Sequence, residues 1–570
     1  MRATNDVVVA NGRVVDGCGN PWYRGDIAIR GGVIASIGPA GTLAGRLRVD
    51  ADDRYVVPGF IDPHTHSDLT ILTYREAESA ARQGVTTHVI GNCGMSPAPV
   101  SDQHLADIRR FWHGMGDSPL LKWHWRSFGE YLDFISEGGI GINIAPLVGH
   151  GALRVAAMGF DERKPSPSEF KLMKRLLDRS MAEGALGLSA GLVYPPGCYA
   201  DTEELSSLCK VVAAHHGVYA THVRGERETI LQGVTEALDI GQRAGLPVQL
   251  SHNAPKWGAQ GTAAKNLALA ESARRAGHDV TIDNDVHTDL AVKLCDALPQ
   301  PVLRIPRRDL LLVLQNPERR SQLRADVEAD RLPGAGYTGL LKHGAYERIV
   351  VLCAPGQPDL VGMTISEIAA SRGVDAFDAY LDVILQSDGE AVGIFDYIAA
   401  EDIVSLLRHP LEMCCSDGYV SAPCAELDDV EPSAGAWSMY MPCSYGEYPG
   451  ILERYVREST ALTLQECIRK MTSFPAQRFG LHDRGVLRPG LAADIVVLDL
   501  ERIKDRATNR YPHRAPFENL PHRYPEGIDH VFVNGVAVLE GAAHTGARPG
   551  LVLRRSQAAR IAKVAAHAQL

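Results

Sequence analysis

The chain has no long run of charge of one sign. Charged residues make up 22% of its 570 residues and the net charge of −11 is spread along the sequence, which argues against nucleic acid and anionic membrane as partners. No apolar run approaches the roughly 20 residues that a bilayer span requires. The first residues, Met1-Arg2-Ala3-Thr4-Asn5-Asp6, lack the basic-then-apolar layout of a secretory leader. There is no disulfide framework either, since the 11 cysteines are odd in number and scattered. These absences predict a cytoplasmic protein with reduced thiols, in which cysteine is free to act as a metal ligand. The cysteines say nothing about assembly, and a homo-oligomer stays open. No internal repeat or low-complexity tract is present. At 45% hydrophobic content, the chain is ample for a large core and too long for one small domain.

Both ends read as short strands joined by tight turns. Asp6–Ala10 runs into Asn11-Gly12, a hairpin signal; Asp26–Arg30, Gly31-Gly32 and Val33–Ile37 follow. Near the other end, Ala493–Leu498 is a strand, and His530–Val533, Asn534-Gly535 and Val536–Leu539 form a second hairpin. Neither end has enough strands for a core of its own, so residues 1–56 and 483–555 are expected to build one small β-sandwich together. Between them, apolar runs alternate with helical stretches such as Ser168–Glu183, Glu203–His215, Glu228–Ala244 and Ala263–Ala276, the texture of βα units. Eight candidate strands are expected: Tyr55–Asp62, Val85–Cys93, Ile142–His150, Leu186–Leu192, Val218–Arg224, Pro247–Asn253, Asp279–Asp285 and Glu412–Asp417. The predicted class is α/β, a (β/α)8 TIM barrel over residues 57–482. The gap between strands seven and eight is too long for one crossover. An insertion near 290–345 is expected there, with Arg307–Tyr346 as its best candidate. The tail, 556–570, reads as a short basic helix.

The chemistry-bearing residues gather at strand ends. In Pro58-Gly59-Phe60-Ile61-Asp62-Pro63-His64-Thr65-His66 the two histidines are two apart, so on a strand they point the same way. Alone this spacing is weak, and a satisfied structural pair explains it equally well. Position changes the balance, because barrel enzymes place catalytic groups at the C-terminal strand ends. His64 and His66 end strand one, Cys93 in Gly91-Asn92-Cys93-Gly94 ends strand two, and His222 ends strand five. His252 ends strand six and Asp417 in Ser416-Asp417-Gly418 ends strand eight. Imidazole, thiolate and carboxylate are the ligands zinc prefers.

Together these motifs resemble the amidohydrolase superfamily, and within it the N-acyl-D-amino-acid deacylase (D-aminoacylase) branch. The likeness spans nearly the whole chain. It includes Gly149-His150-Gly151-Ala152-Leu153-Arg154, Tyr194-Pro195-Pro196-Gly197, Thr221-His222-Val223-Arg224 and Asp483-Arg484-Gly485-Val486-Leu487-Arg488-Pro489-Gly490. Gly-Asn-Cys-Gly is its most branch-specific element. The resemblance implies a tight zinc site at Cys93, His222 and His252. It also implies a second, weaker site at His64, His66 and Asp417 that shares Cys93 as an anionic bridge. Zinc acidifies water and polarises an amide carbonyl. Asp417, on the same rim, is the expected proton carrier from the attacking water to the departing amine. The implied partner is a small-molecule amide, most specifically an N-acyl-D-amino acid.

Three other readings stand beside this one, two of them catalytic and the third a non-catalytic binding protein on the same fold, against which the full ligand set with Asp417 argues. Gly187-Leu188-Ser189-Ala190-Gly191 matches the nucleophile elbow of serine hydrolases, but Pro195-Pro196-Gly197 follows where that motif needs a helix. Cys93 as a covalent nucleophile lacks a histidine not already assigned to metal. For substrate binding, Tyr194 matches a family tyrosine expected to hold a carboxylate. Arg224 is a candidate by position, and His150 would assist or fix a loop. The branch places a lysine two residues after the strand-six histidine; here that position is Ala254, and Lys256 is the nearest lysine. Asp285-Val286-His287 replaces a Tyr-Pro-Tyr element, and Met441-Pro442-Cys443 replaces His-Pro-Arg. These departures put the substrate in question, with another linear or cyclic amide as the alternative, and leave the ligand set intact.

Overall fold

The computed structural model describes residues 5–112, 115–117, 121–299, 302, 307–329, 338–421, 441–507 and 524–555. The basic helix expected at 556–570 lies outside these residues.

Parallel strands with helical crossovers build the barrel. Strand one is Phe60–Asp62, two Val85–Ile90, three Asn143–Pro146 with Val148–Gly149, and four Gly187–Gly191. Strand five is Val218–His222, six Val248–Leu250, seven Val280–Asn284 and eight Glu412–Cys414. Neighbours pair in parallel in sequence order. Strand three breaks at Leu147, whose N–H still donates to Ile90 O at 2.8 Å while Val148 and Gly149 pair with strand four. Strands one and eight meet beyond their ends. Asp417 N donates to His64 O at 3.0 Å and His66 N to Gly418 O at 2.9 Å, with Thr65 and Gly418 in a parallel bridge. The four helices expected from periodicity are present as Pro167–Ala182, Thr202–Ala214, Ile230–Ala244 and Ala263–Arg275. The first opens on a capping box of Ser166 and Glu169 with Pro167 in its first turn.

Both chain ends share one nine-stranded sheet. Eight of its strands follow one hydrogen-bonded path, and Gly45–Asp50 branches from it by pairing with Asn5–Val14. Val9, Ile27, Ile34, Ile495 and Phe532 from distant parts of that path pack into one cluster. The strand expected over Tyr55–Asp62 is two strands. Tyr55–Pro58 pairs with Ile495–Leu498 in the β unit, and Phe60–Asp62 belongs to the barrel. Pro58, which lacks an N–H, and Gly59 mark the exchange. Asn11-Gly12 is also no hairpin. The strand Asn5–Val14 runs through it with a register shift, and Asn11 takes φ 59° as in a bulge. Asn534-Gly535, with φ of 47° and 79°, does turn a hairpin between Ile528–Val533 and Val536–Glu540.

The insertion between strands seven and eight is larger than expected. Asp289–Lys293, Val392–Asp396 and Ile349–Cys353 form an antiparallel sheet of their own. Helices Arg307–Gln315, Pro317–Glu328, Ile365–Arg372 and Ala376–Gln386 accompany it. Leu294, Leu314, Ile349, Tyr380 and Phe395 lie in a core separate from the barrel's. The central strand of that sheet is Val392–Asp396, so the unit closes about fifty residues past the expected end, two strands and two helices further on.

Candidate metal centre

Short strands followed by sharp turns bring the candidate side chains over the barrel mouth. Cys93, His252 and Asp417 each sit just past a strand end with positive φ, at 52°, 32° and 52°. Such backbone costs on the order of 1–3 kcal/mol per residue in L-amino acids and collects at functional sites. The Cys93 turn fits closely against strands three and four. A Cβ on Gly91 would lie 1.9 Å from Leu147 O, and one on Gly191 2.3 Å from Cys93 O. Ser189 clamps the turn: its Oγ accepts from Gly94 N at 2.9 Å and donates to Gly91 O. With both bonds made, Ser189 serves the Cys93 loop and is no exposed nucleophile.

Cys93 Sγ is the hub. It lies 3.2 Å from His64 Nε2, 3.3 Å from His252 Nε2 and 3.7 Å from His222 Nδ1. Asp417 Oδ1 lies 3.1 Å from His66 Nε2 and 3.4 Å from His64 Nε2. Tetrahedral zinc with Zn–N of about 2.1 Å and Zn–S of about 2.3 Å has ligand-to-ligand edges of about 3.3–3.7 Å. Among the described residues three groups, His64–Cys93–His252, His64–His66–Asp417 and His222–Glu226–His252, bring ligand atoms close enough to share a cation. The side chain of Asp417 is 31% exposed, against 0% for His64 and 9% for His66, so it is the carboxylate open to the mouth.

The electrostatics also favour a cation. Burial would raise the Cys93 thiol, but His64 and His252 outweigh it and hold it well below the usual range. Burial would lower His66, yet Asp417 and Cys93 raise it to about 10; His222, beside Glu226 and Cys93, is raised to about 9. Burial opposes ionisation of Asp417 too, and the hydrogen bond from His66 with the charge of His64 still brings it to about 2. The cluster thus draws positive charge to the point where the ligand atoms converge.

Two further carboxylates support the imidazoles from outside. Asp283 Oδ1 is 3.2 Å from His64 Nδ1 and accepts from His252 N at 2.8 Å. Glu226 Oε1 is 3.2 Å from His222 Nε2. A carboxylate on the far nitrogen fixes the ring and strengthens it as a ligand. Sequence reasoning passed over both. The available signals were an inward position at the end of strand seven and a glutamate four residues after His222.

The expected substrate residues separate. Lys256 is buried at the mouth, where its Nζ reaches His252 O at 3.4 Å and stands 5.2 Å from the Tyr397 ring. Arg224 is otherwise engaged: Nε meets Glu236 at 2.8 Å, Nη1 meets Cys198 O at 3.0 Å and Nη2 meets Ala200 O at 2.7 Å. That leaves no fork for a substrate carboxylate. His150 is fully buried at the start of helix His150–Met158, where it and Arg154 meet Glu204 of helix Thr202–Ala214, His150 at 2.8 Å. Tyr194 gives its single O–H to Cys93 O at 2.5 Å and stands edge-on to His222. Its donor is thereby used to hold the Cys93 turn. Ala254 N donates to Asn284 Oδ1 at 3.2 Å. Met441 and Cys443 join Tyr419 and Val392 in a small apolar cluster.

A sequence profile of the amidohydrolase family matches residues 48–298 and 362–539. The chain belongs to the amidohydrolase family. The unmatched stretch falls inside the insertion. N-acyl-D-glutamate deacylase of Alcaligenes xylosoxydans xylosoxydans is 34% identical over 558 residues, covering 97% of this chain and 98% of the relative. The structure of N-acyl-D-glutamate deacylase from Bordetella bronchiseptica, complexed with zinc and a phosphonate mimic of the tetrahedral intermediate, is similar at TM-score 0.74. It is 29% identical and covers 97% of this chain and 100% of that one. A D-aminoacylase structure, described for its binuclear metal centre, gives TM-score 0.73 and 30% identity over 97% and 100% of the two chains. This amidohydrolase is accordingly a hydrolase of C–N bonds other than peptide bonds. Among the described residues, no helix is long and apolar enough to cross a membrane.

Proposed function

We propose that this amidohydrolase deacylates N-acyl-D-amino acids, with zinc held tightly by Cys93, His222 and His252 and more weakly by His64, His66 and Asp417 around the shared thiolate. The observation that carries this reading is the convergence of three imidazole nitrogens on Cys93 Sγ within 3.2–3.7 Å. Zinc bound there supplies Lewis-acid polarisation of the scissile carbonyl and acidifies water. The chain's own residues do the rest. Asp417, ionised and open to the mouth, takes the proton of the attacking water at Oδ and returns it to the departing nitrogen. Asp283 and Glu226 keep His64 and His222 aimed. Lys256 offers its buried ammonium to the substrate carboxylate. The D-configuration rests on the named activities of the relatives.

The test is amine release from N-acyl D- and L-amino acids, N-carbamoyl amino acids and cyclic amides. It compares zinc-loaded enzyme, chelator-stripped enzyme and Cys93→Ala. Metal-dependent release from D-substrates, lost in the variant together with bound zinc, is the expected result. Turnover of other amides alone would keep the zinc chemistry and move the substrate. Full activity of stripped enzyme would overturn the reading.

A further inference from the structure

One charged group at the barrel mouth has no part in the chemistry above. Strand seven turns Asp283 inward to His64, while Asn284 faces aside and takes Ala254 N. Asp285 is the first residue beyond the end of that strand, on the mouth side of Asp283. It is half-buried, and among the described residues no donor or cation reaches its carboxylate within bonding distance. Its electrostatic neighbours are Lys256, Glu447, Asp417 and His252. Two of these are already matched within the protein: Glu447 accepts from Val286 N at 2.6 Å and from His287, and Asp417 faces His66. Lys256 makes a long contact with His252 O and stands over the face of Tyr397, with Glu226 and Asp285 as electrostatic neighbours but, among the described residues, no carboxylate at ion-pair distance. The mouth therefore presents one ammonium and one carboxylate, each without an ion-pair partner among the described residues.

We propose that Asp285 selects the substrate side chain, and that the preferred substrates are N-acyl amino acids with a cationic side chain. This rests on the deacylase reading. With the α-carboxylate on Lys256, a side-chain ammonium or guanidinium reaches Asp285 and completes both charges. An acidic side chain would meet the like charges of Asp285 and Asp417, the repulsive element that turns affinity into selectivity.

The experiment compares kcat/KM of the zinc-loaded full chain on N-acetyl-D-lysine, N-acetyl-D-arginine, N-acetyl-D-leucine and N-acetyl-D-glutamate. Asp285→Asn, Asp285→Ser and Asp285→Lys are run beside the wild type, with bound zinc and melting recorded for each. The wild type should prefer lysine over leucine by about tenfold and over glutamate by more, and either neutral variant should lower the lysine-to-leucine ratio by roughly tenfold or more at normal zinc content. Asp285→Lys should shift preference toward glutamate. A wild-type ratio at or below one, or a ratio that the neutral variants leave unchanged, overturns the inference while the deacylase reading stands. No turnover of any N-acyl amino acid, with activity on other amides, overturns the deacylase reading and the inference together.

Discussion

A ligand is only as good as the group that aims it. Asp283 is buried, meets His64 and receives the N–H of His252 and the Gln249 amide at 2.6 Å. Asp283→Asn keeps the shape and removes the charge, so zinc affinity should fall about 10–100-fold in a chelator competition. Away from the centre, Glu204 gives a pH prediction. Burial would raise its carboxyl, but His150 and Arg154 outweigh this and hold it below the usual glutamate range. A depressed acid stabilises the fold above its unfolded value of about 4.3, and that stability is lost as pH falls through the folded value. Melting temperature should therefore drop on acidification below roughly pH 4.5. Glu204→Gln should flatten that limb and cost roughly 3–5 kcal/mol at neutral pH, because it leaves Arg154 buried without its partner. That His64, His66, Cys93, His222, His252 and Asp417 gather on one rim was legible in sequence because strand ends define one surface. Residue type does not reveal that the donors of Tyr194 and Arg224 are engaged by Cys93 O and Glu236.

At the scale of an element, the Gly-Asn-Cys-Gly turn is a fitted part. Gly91 has φ 78° and no room for a Cβ beside Leu147 O. Gly91→Ala should displace Cys93 and reduce both bound zinc and melting temperature, while Gly277→Ala, at a similarly positive φ of 94° but with open space around it, should keep full zinc and lose less melting temperature. Zinc per chain and a thermal melt check this. Periodicity made the four long helices legible, since their apolar faces repeat over three or four turns. Strand junctions were harder to read. Tyr55–Asp62 is continuous in hydropathy, and its division at Pro58-Gly59 follows from partners more than 400 residues away at Ile495–Leu498. Asn11-Gly12 has the composition of a turn, but pairing of Gly12 with Gly25 carries the strand through it.

Across the molecule, the β unit and barrel are joined by buried polar groups. Asn143 of strand three donates to Asp494 at 3.1 Å and accepts from Asn534 at 2.8 Å, while Asp494 pairs with Arg484. Asp494→Ala removes the buried partner of Arg484, which is 3% exposed, and leaves it only the more exposed Asp483. It should cost roughly 3–5 kcal/mol, seen in calorimetry as a lower melting temperature for the barrel and β unit together. The paired ends and the barrel were readable from strand texture at each terminus. The extent of the insertion was not, because its central strand, Val392–Asp396, is apolar like a barrel strand and only its neighbours show where it belongs. The junction of Thr65 with Gly418 has one last consequence, for biosynthesis. A ribosome delivers Cys93 long before Asp417, and nothing downstream can seal the barrel until that aspartate has emerged. The thiol therefore spends most of translation outside its finished surroundings, open to the oxidation from which burial shields Cys93 in the mature enzyme.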